Sequence, residues 1–262
     1  LASAGMGNIP SFTAMNNSNV PSTGVITIIP TANGCNGNSG TFTITVNPTP
    51  RVDTVVNQAV CNGLSTKAID FTSMVNGTSY VWNNNNPSIG LGSTGTGNIP
   101  SFTAINNTDA PITAMISVIP TANGCQGPAR TFTITVNRTP VAPVISLKST
   151  PAVCHMTYFR NYGAATIPPA GISYAWSTDN AQISDVGNTQ QYALVNFKKV
   201  GIATVILTAT ETGTGCLNTA ATDVSVTANV ADVPAEVVYF NKSFICLQND
   251  EEAYAWGYDD AA

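Results

Sequence analysis

Forty-four residues of this chain occur twice. Gly7–Pro50, GNIPSFTAMNNSNVPSTGVITIIPTANGCNGNSGTFTITVNPTP, returns as Gly97–Pro140, GNIPSFTAINNTDAPITAMISVIPTANGCQGPARTFTITVNRTP. The offset is 90 positions without a gap, and about two-thirds of the paired residues are identical. A fixed period fixes the architecture before any residue is given a role. Solenoids and propeller blades repeat every ~20–50 residues, so this period fits one complete small β-domain set in tandem. The match begins at the start of the chain, where Leu1, Ser3 and Gly5 pair with Leu91, Ser93 and Gly95. The expected domains are therefore 1–50, the C-terminal part of a repeat; 51–140, a complete repeat; 141–230, a diverged domain; and 231–262, the start of a truncated C-terminal β module.

The local pattern is that of strands. In Thr41–Asn47, TFTITVN, Phe42, Ile44 and Val46 alternate with threonines, which marks a half-buried antiparallel strand. Gly24–Ile29 reads as its partner, and Asn33-Gly34 between them is a hairpin signal. In 51–140 seven strands are expected, near Val52–Val56, Ala68–Thr72, Ser79–Asn83, Ser88–Leu91, Ser101–Ile105, Ala114–Ile119 and Thr131–Asn137. The diverged domain keeps Tyr174-Ala175-Trp176 for Tyr80-Val81-Trp82. Beyond it Val237–Phe240 and Phe244–Leu247 read as strands, and Tyr254-Ala255-Trp256 repeats the aromatic theme. The fold class is all-β: tandem immunoglobulin-like sandwiches.

Charged residues are 9% of the chain, against roughly 25% in an average soluble domain. The net charge of −5 includes no basic patch, which excludes nucleic acid as an expected partner. No apolar run is long enough for a spanning helix, so membrane insertion is not expected.

There are six cysteines. Cys61 and Cys125 hold the same places in their domain as Cys154 and Cys216 in the next, so bridges Cys61–Cys125 and Cys154–Cys216 are expected, one per domain. Cys35 and Cys246 are expected to be left unpaired by truncation. Disulfides imply an oxidising compartment. Tyr80, Trp82, Tyr174 and Trp176 fall on the third strand of their domains, where immunoglobulin-like sandwiches bury a Trp. They are expected in the core rather than on a sugar-stacking platform.

Neither a metal nor a cofactor is expected. The first fifty residues have no Asp or Glu, and the full repeat has only Asp53, Asp70 and Asp109, too dispersed for a calcium cage. The acidic group Asp250, Glu251, Glu252, Asp259 and Asp260 reads as a solvated loop, and Lys198-Lys199 as an exposed turn. The only histidine, His155, stands beside Cys154, and no catalytic residue is expected: an active site is normally built once, not copied with its scaffold. Asn16, Asn76, Asn106 and Asn241 open N-x-S/T triplets, which a Thr- and Asn-rich chain produces by chance.

At GNIPSFTA, PTANGC and TFTITVNPTP the chain resembles the PKD-like/Ig-like repeats of very long Bacteroidota surface proteins. These include gliding-motility adhesins of the SprB type, exported by type IX secretion. The resemblance is carried by residues 1–140; 141–230 is similar to a more general PKD or Ig-like domain. Tyr239–Asp260 resembles a module found near the C-terminus of such proteins. The resemblance implies an extracellular, outer-membrane-attached protein whose partners are secretion or surface-anchoring machinery. It also makes Asp53-Thr54-Val55 a candidate O-glycosylation pattern, at Thr54. The expected function is a stalk segment of an adhesin filament, serving surface attachment and gliding motility. The alternatives are a polysaccharide-binding module, with surface polysaccharide as partner, and the non-catalytic stalk of a secreted enzyme.

Overall fold

The structure is a computed structural model that describes residues 2–147, 152–154, 160–179, 181–186, 191–227, 229–230, 246–249 and 252–254. The chain forms two compact units, Leu1–Arg138 and Thr139–Ala262.

In the first unit, β1 (Ser22–Ile28) and β4 (Gly40–Val46) pair antiparallel, and the short strands β2 (Thr31–Ala32) and β3 (Cys35–Asn36) make the hairpin between them. The complete repeat follows as β5 (Gln58–Cys61), β6 (Ser79–Asn84), β7 (Thr94–Thr96), β8 (Ile112–Ala122), β9 (Cys125–Gln126) and β10 (Arg130–Asn137). These make one sheet in the order β5-β10-β8-β6-β7, with β9 on β8. Strands β5 and β10 are parallel; the other pairs are antiparallel.

The opposing layer is irregular. Its two segments join through bridges Ser65↔Thr103 and Ile69↔Ile99, with mutual backbone bonds of 2.8 and 3.0 Å between Ile69 and Ile99. Ile69, Phe71, Ile89, Leu91 and Ile99 close over Trp82, Ile116, Val118, Phe132, Ile134 and Val136 to form the core. The alternation of β8 and β10 sends Val, Ile and Phe inward and Thr outward, where Thr113 and Thr135 hydrogen-bond across the ladder at 2.9 Å. The first repeat has the same pair, Thr23 and Thr45, at 3.1 Å.

Four of the seven expected strands are not strands. Val52–Val56 is irregular, although Val52 is buried. The Thr133 N–H is taken at 2.9 Å by the Asn57 side-chain oxygen, so the parallel ladder starts only at Gln58. Ser88–Leu91 is replaced by a 3-10 turn, Pro87–Ile89, because Pro87 has no N–H for a ladder. Ala68–Thr72 and Ser101–Ile105 contribute only the isolated bridges.

In the first repeat β1 and β4 hold the places of β8 and β10, and their inward-facing residues are exposed. Phe42 is 42% exposed and Ile28 52%, where their counterparts Phe132 and Val118 are 3% and 0%.

In the second unit the described strands are β11 (Ile145–Leu147), β12 (Ala152–Cys154), β13 (Arg160–Ala164), β14 (Ile172–Thr178), β15 (Ala181–Val186), β16 (Tyr192–Phe197), β17 (Gly201–Glu211) and β18 (Leu217–Thr227). They form two sheets, β11-β13-β16-β15 and β12-β18-β17-β14, around a core that includes Tyr162, Phe197, Val205 and Leu207. The second sheet repeats the order and directions of β5-β10-β8-β6, down to the parallel edge pair β12–β18. Divergence changed the side chains and kept the wiring. Strands β19 (Asn229–Val230), β20 (Cys246–Asn249) and β21 (Glu252–Tyr254) form a further small sheet. Of the expected strand Phe244–Leu247, Cys246 and Leu247 fall in β20; residues 244–245, the expected strand Val237–Phe240 and Trp256 lie outside the described residues.

Candidate functional site

Within the first unit the first repeat runs into the second through a docked linker. Its anchor is the PTANGC hairpin, β8–β9. Asn123 and Gly124 take φ of 50° and 78°, the left-handed turn that Asn-Gly supplies. Asn33 and Gly34 repeat these values. The Gly127 N–H closes the loop on the Pro120 carbonyl at 2.9 Å, as Gly37 does on Pro30 at 2.8 Å.

The strand end Asn47-Pro48-Thr49-Pro50 of the first repeat runs onto this hairpin. The Asn47 side-chain amide donates to the Asn123 carbonyl at 3.1 Å, and Pro48 and Pro50 are buried. The Pro50 carbonyl lies where a Cβ on Gly127 would have to be, with Pro120 Cγ behind it. Gly127 is there because backbone passes over it. In the second unit Pro140, which corresponds to Pro50, accepts 3.1 Å from the Asn218 amide. Asn218, two residues after Cys216, holds the place of Gly127, two residues after Cys125. The Asn47–Pro50 linker is thus a docked segment, where the sequence offered only a stiff proline spacer.

An asparagine braces each of the first two repeats, half-buried in the first and buried in the second. Asn106 is buried; its amide donates to the Ala110 and Val136 carbonyls at 2.9 and 2.8 Å, and its oxygen takes the Thr108 N–H and hydroxyl at 2.9 and 2.8 Å. Asn16 makes the same set with Val20, Val46 and Ser18. These two N-x-S/T triplets are therefore structural braces, with the amide nitrogen spent on carbonyls. The triplet at Asn241 lies outside the described residues. Sequence reasoning missed this role; the signal was the recurrence of Asn-Asn-Ser/Thr at the repeat offset.

The cysteines require a correction. Cys61 and Cys216 are disulfide-bonded, but Cys125 and Cys35 are free thiols, so the expected Cys61–Cys125 bridge is not formed. The reason is register. Cys61 is paired with Asn137, at the C-terminal end of β10, while Cys125 belongs to the hairpin beyond the Arg130 end. Seven strand steps, about 23 Å, separate those ends, and a bridge needs Cα atoms within ~7 Å. The expected Cys154–Cys216 bridge fails the same way: Cys154 pairs with Thr227 and Cys216 precedes Leu217, at opposite ends of β18. The side chains of Cys154 and Cys246 lie outside the described residues.

Trp82, Tyr174 and Trp176 are buried, and Tyr80 is half-buried against the core. The Trp82 ring rests on Gly95, where a Cβ would overlap it, and its indole N–H has no hydrogen-bond partner. Thr54 is exposed, and its hydroxyl accepts from Arg130 at 3.0 Å. It rims an open groove formed by Thr54–Val60 and Ser65–Asp70, which no aromatic side chain lines. Among the described residues no three His, Cys, Asp or Glu converge to hold a metal ion, and no helix is long and apolar enough to cross a membrane. Lys198 and Lys199 are exposed. His155, Asp250, Glu251, Asp259 and Asp260 lie outside the described residues.

The sheets and cores of both units define all-β, immunoglobulin-like sandwich domains. The chain belongs to the PKD-like domain family, whose profile matches residues 3–50 and 58–140. No match was found among curated proteins. Solved structures similar to it include the FN1–FN3 domains of chicken CNTN1, at 12% identity and TM-score 0.36, covering 77% of this chain and 74% of that one. The human Desmocollin-1 ectodomain matches at 14% identity and TM-score 0.26, over 79% of this chain and 42% of that one. A SusE-like surface located polysaccharide binding protein from Bacteroides thetaiotaomicron matches at 12% and 0.31, over 71% and 36%.

Proposed function

We propose that the chain is a stalk segment of a secreted cell-surface adhesin, holding a binding region away from the cell. The observation that carries this reading is the docked junction. A linker buried against the next hairpin sets domain spacing and direction, which a string of independent binding modules does not need. Disulfide-bonded cysteines support an extracellular site, and the repeat resemblance supports attachment to the outer membrane through secretion or surface-anchoring machinery, with a role in gliding. Thr54 is exposed and open to O-glycosylation; an unmodified mass for its peptide in protein from the native cell removes that assignment.

The test deletes Arg51–Pro140 from the parent surface protein. The stalk reading expects attachment to persist, with the stand-off from the cell reduced by about 35 Å, the length of an eleven-residue strand. Loss of attachment, or saturable binding of the isolated chain on a glycan array, supports the polysaccharide-binding reading instead. Against that reading stands the groove at Thr54–Asp70, which has no ring on which a sugar could stack.

A further inference from the structure

We infer that the cysteines of this repeat are placed to bond successive domains to each other: the strand cysteine of one repeat, in the place of Cys61, joins the hairpin cysteine of the next, in the place of Cys125. This holds whether or not the array binds a ligand.

The argument is one of register. Within a domain the strand and hairpin cysteines lie at opposite ends of the sheet and cannot meet. Cys61 runs beside Asn137, and the following Asn62 N–H donates to the Asn137 carbonyl at 2.8 Å. Ninety positions earlier, the counterpart of Asn137 is Asn47. Asn47 is bonded to Asn123, in the turn that immediately precedes Cys125. A strand cysteine beside Asn47 therefore falls at the next repeat's hairpin cysteine.

In the first repeat β1 pairs with β4. Cys125, half-buried at the junction, is a free thiol, and so is Cys35. Cys61 and Cys216, whose own domains offer no partner within reach, are bonded.

Bond formation removes two protons and two electrons from two thiols, so it needs a disulfide carrier as oxidant. One cysteine thiolate attacks the carrier disulfide and releases a carrier thiolate. The second cysteine thiolate attacks the protein sulfur of that mixed disulfide and releases the other. The carrier leaves as a dithiol.

The test supplies the first repeat with a strand cysteine. A copy of Arg51–Gly90 is placed ahead of Leu1, the protein is made in an oxidising compartment, and disulfide-linked peptides are identified without reduction. The expected link joins the added strand cysteine to Cys125, leaving Cys35 free, and Cys125→Ser leaves the added cysteine as a thiol. A link to Cys35, or no link, overturns the proposal. The unextended chain gives an independent check. Native alkylation should modify Cys35 and Cys125, and Cys61 and Cys216 should each be joined outside their own domains. Cys61 found on Cys125, or Cys216 on Cys154, overturns it without any extension.

Discussion

Asn106 shows how a chain so poor in charge holds its loops. One buried amide satisfies two backbone carbonyls and, through its oxygen, Thr108. Asn106→Ala leaves those groups unpaired in the interior and should cost about 2–3 kcal/mol; Asn106→Asp sets a carboxylate against two carbonyls and should cost more. Denaturant unfolding of both variants measures this, and an Asp variant as stable as the parent would show the brace to be idle. Tyr80 gives a pH signature. Burial, and secondarily the Asp53 charge, raise its pKa above the ordinary 10.0. The folded state thus keeps a proton that the unfolded chain gives up earlier. The stabilisation is present below about pH 10 and falls away as pH rises through the folded value. Tyr80→Phe should therefore flatten the loss of stability above pH 10 and change little at pH 7, as thermal melts across that range will show. Both residues lie in stretches where the sequence displays period and polarity, but nothing in a string of letters separates a bracing Asn from a solvated one. Only the recurrence at ninety positions hinted at it.

At the scale of elements, strands with clean alternation were legible: β1, β4, β6, β8 and β10 fall where Thr-x-Thr and Tyr-x-Trp patterns place them. The opposing layer was not, because Val52–Val56 and Ser88–Leu91 have strand composition while Asn57 and Pro87 interrupt their ladders. The junction was hidden for a different reason. Gly127 reads as an ordinary turn glycine, and its role comes from the backbone of Pro50, 77 residues away in sequence. Gly127→Ala should displace Pro50 and cost about 1–3 kcal/mol. Gly37→Ala, in the same hairpin of the first repeat, meets only Pro30, with the nearest atom at 3.1 Å, and should be nearly silent. Parallel thermal melts decide; equal effects would mean that the linker is not held by the hairpin.

The whole molecule inherits its properties from where each sheet puts its two cysteines. A strand cysteine at one end and a hairpin cysteine at the other turn the bonded array into a load-bearing cable. Force entering at a strand cysteine crosses to the next domain's hairpin cysteine. It then follows only the chain up to the next strand cysteine, about 26 residues in the stretch from Cys35 to Cys61. Even with every sheet torn open, such a span yields about 90 Å, whereas an unbonded ninety-residue domain yields roughly 300 Å. Pulled from its two ends, the chain should show steps of the larger size only when reductant is present; identical step lengths in both conditions would refute the cable. Such bonds cap the length released when a domain fails at roughly a third of what an unbonded domain gives.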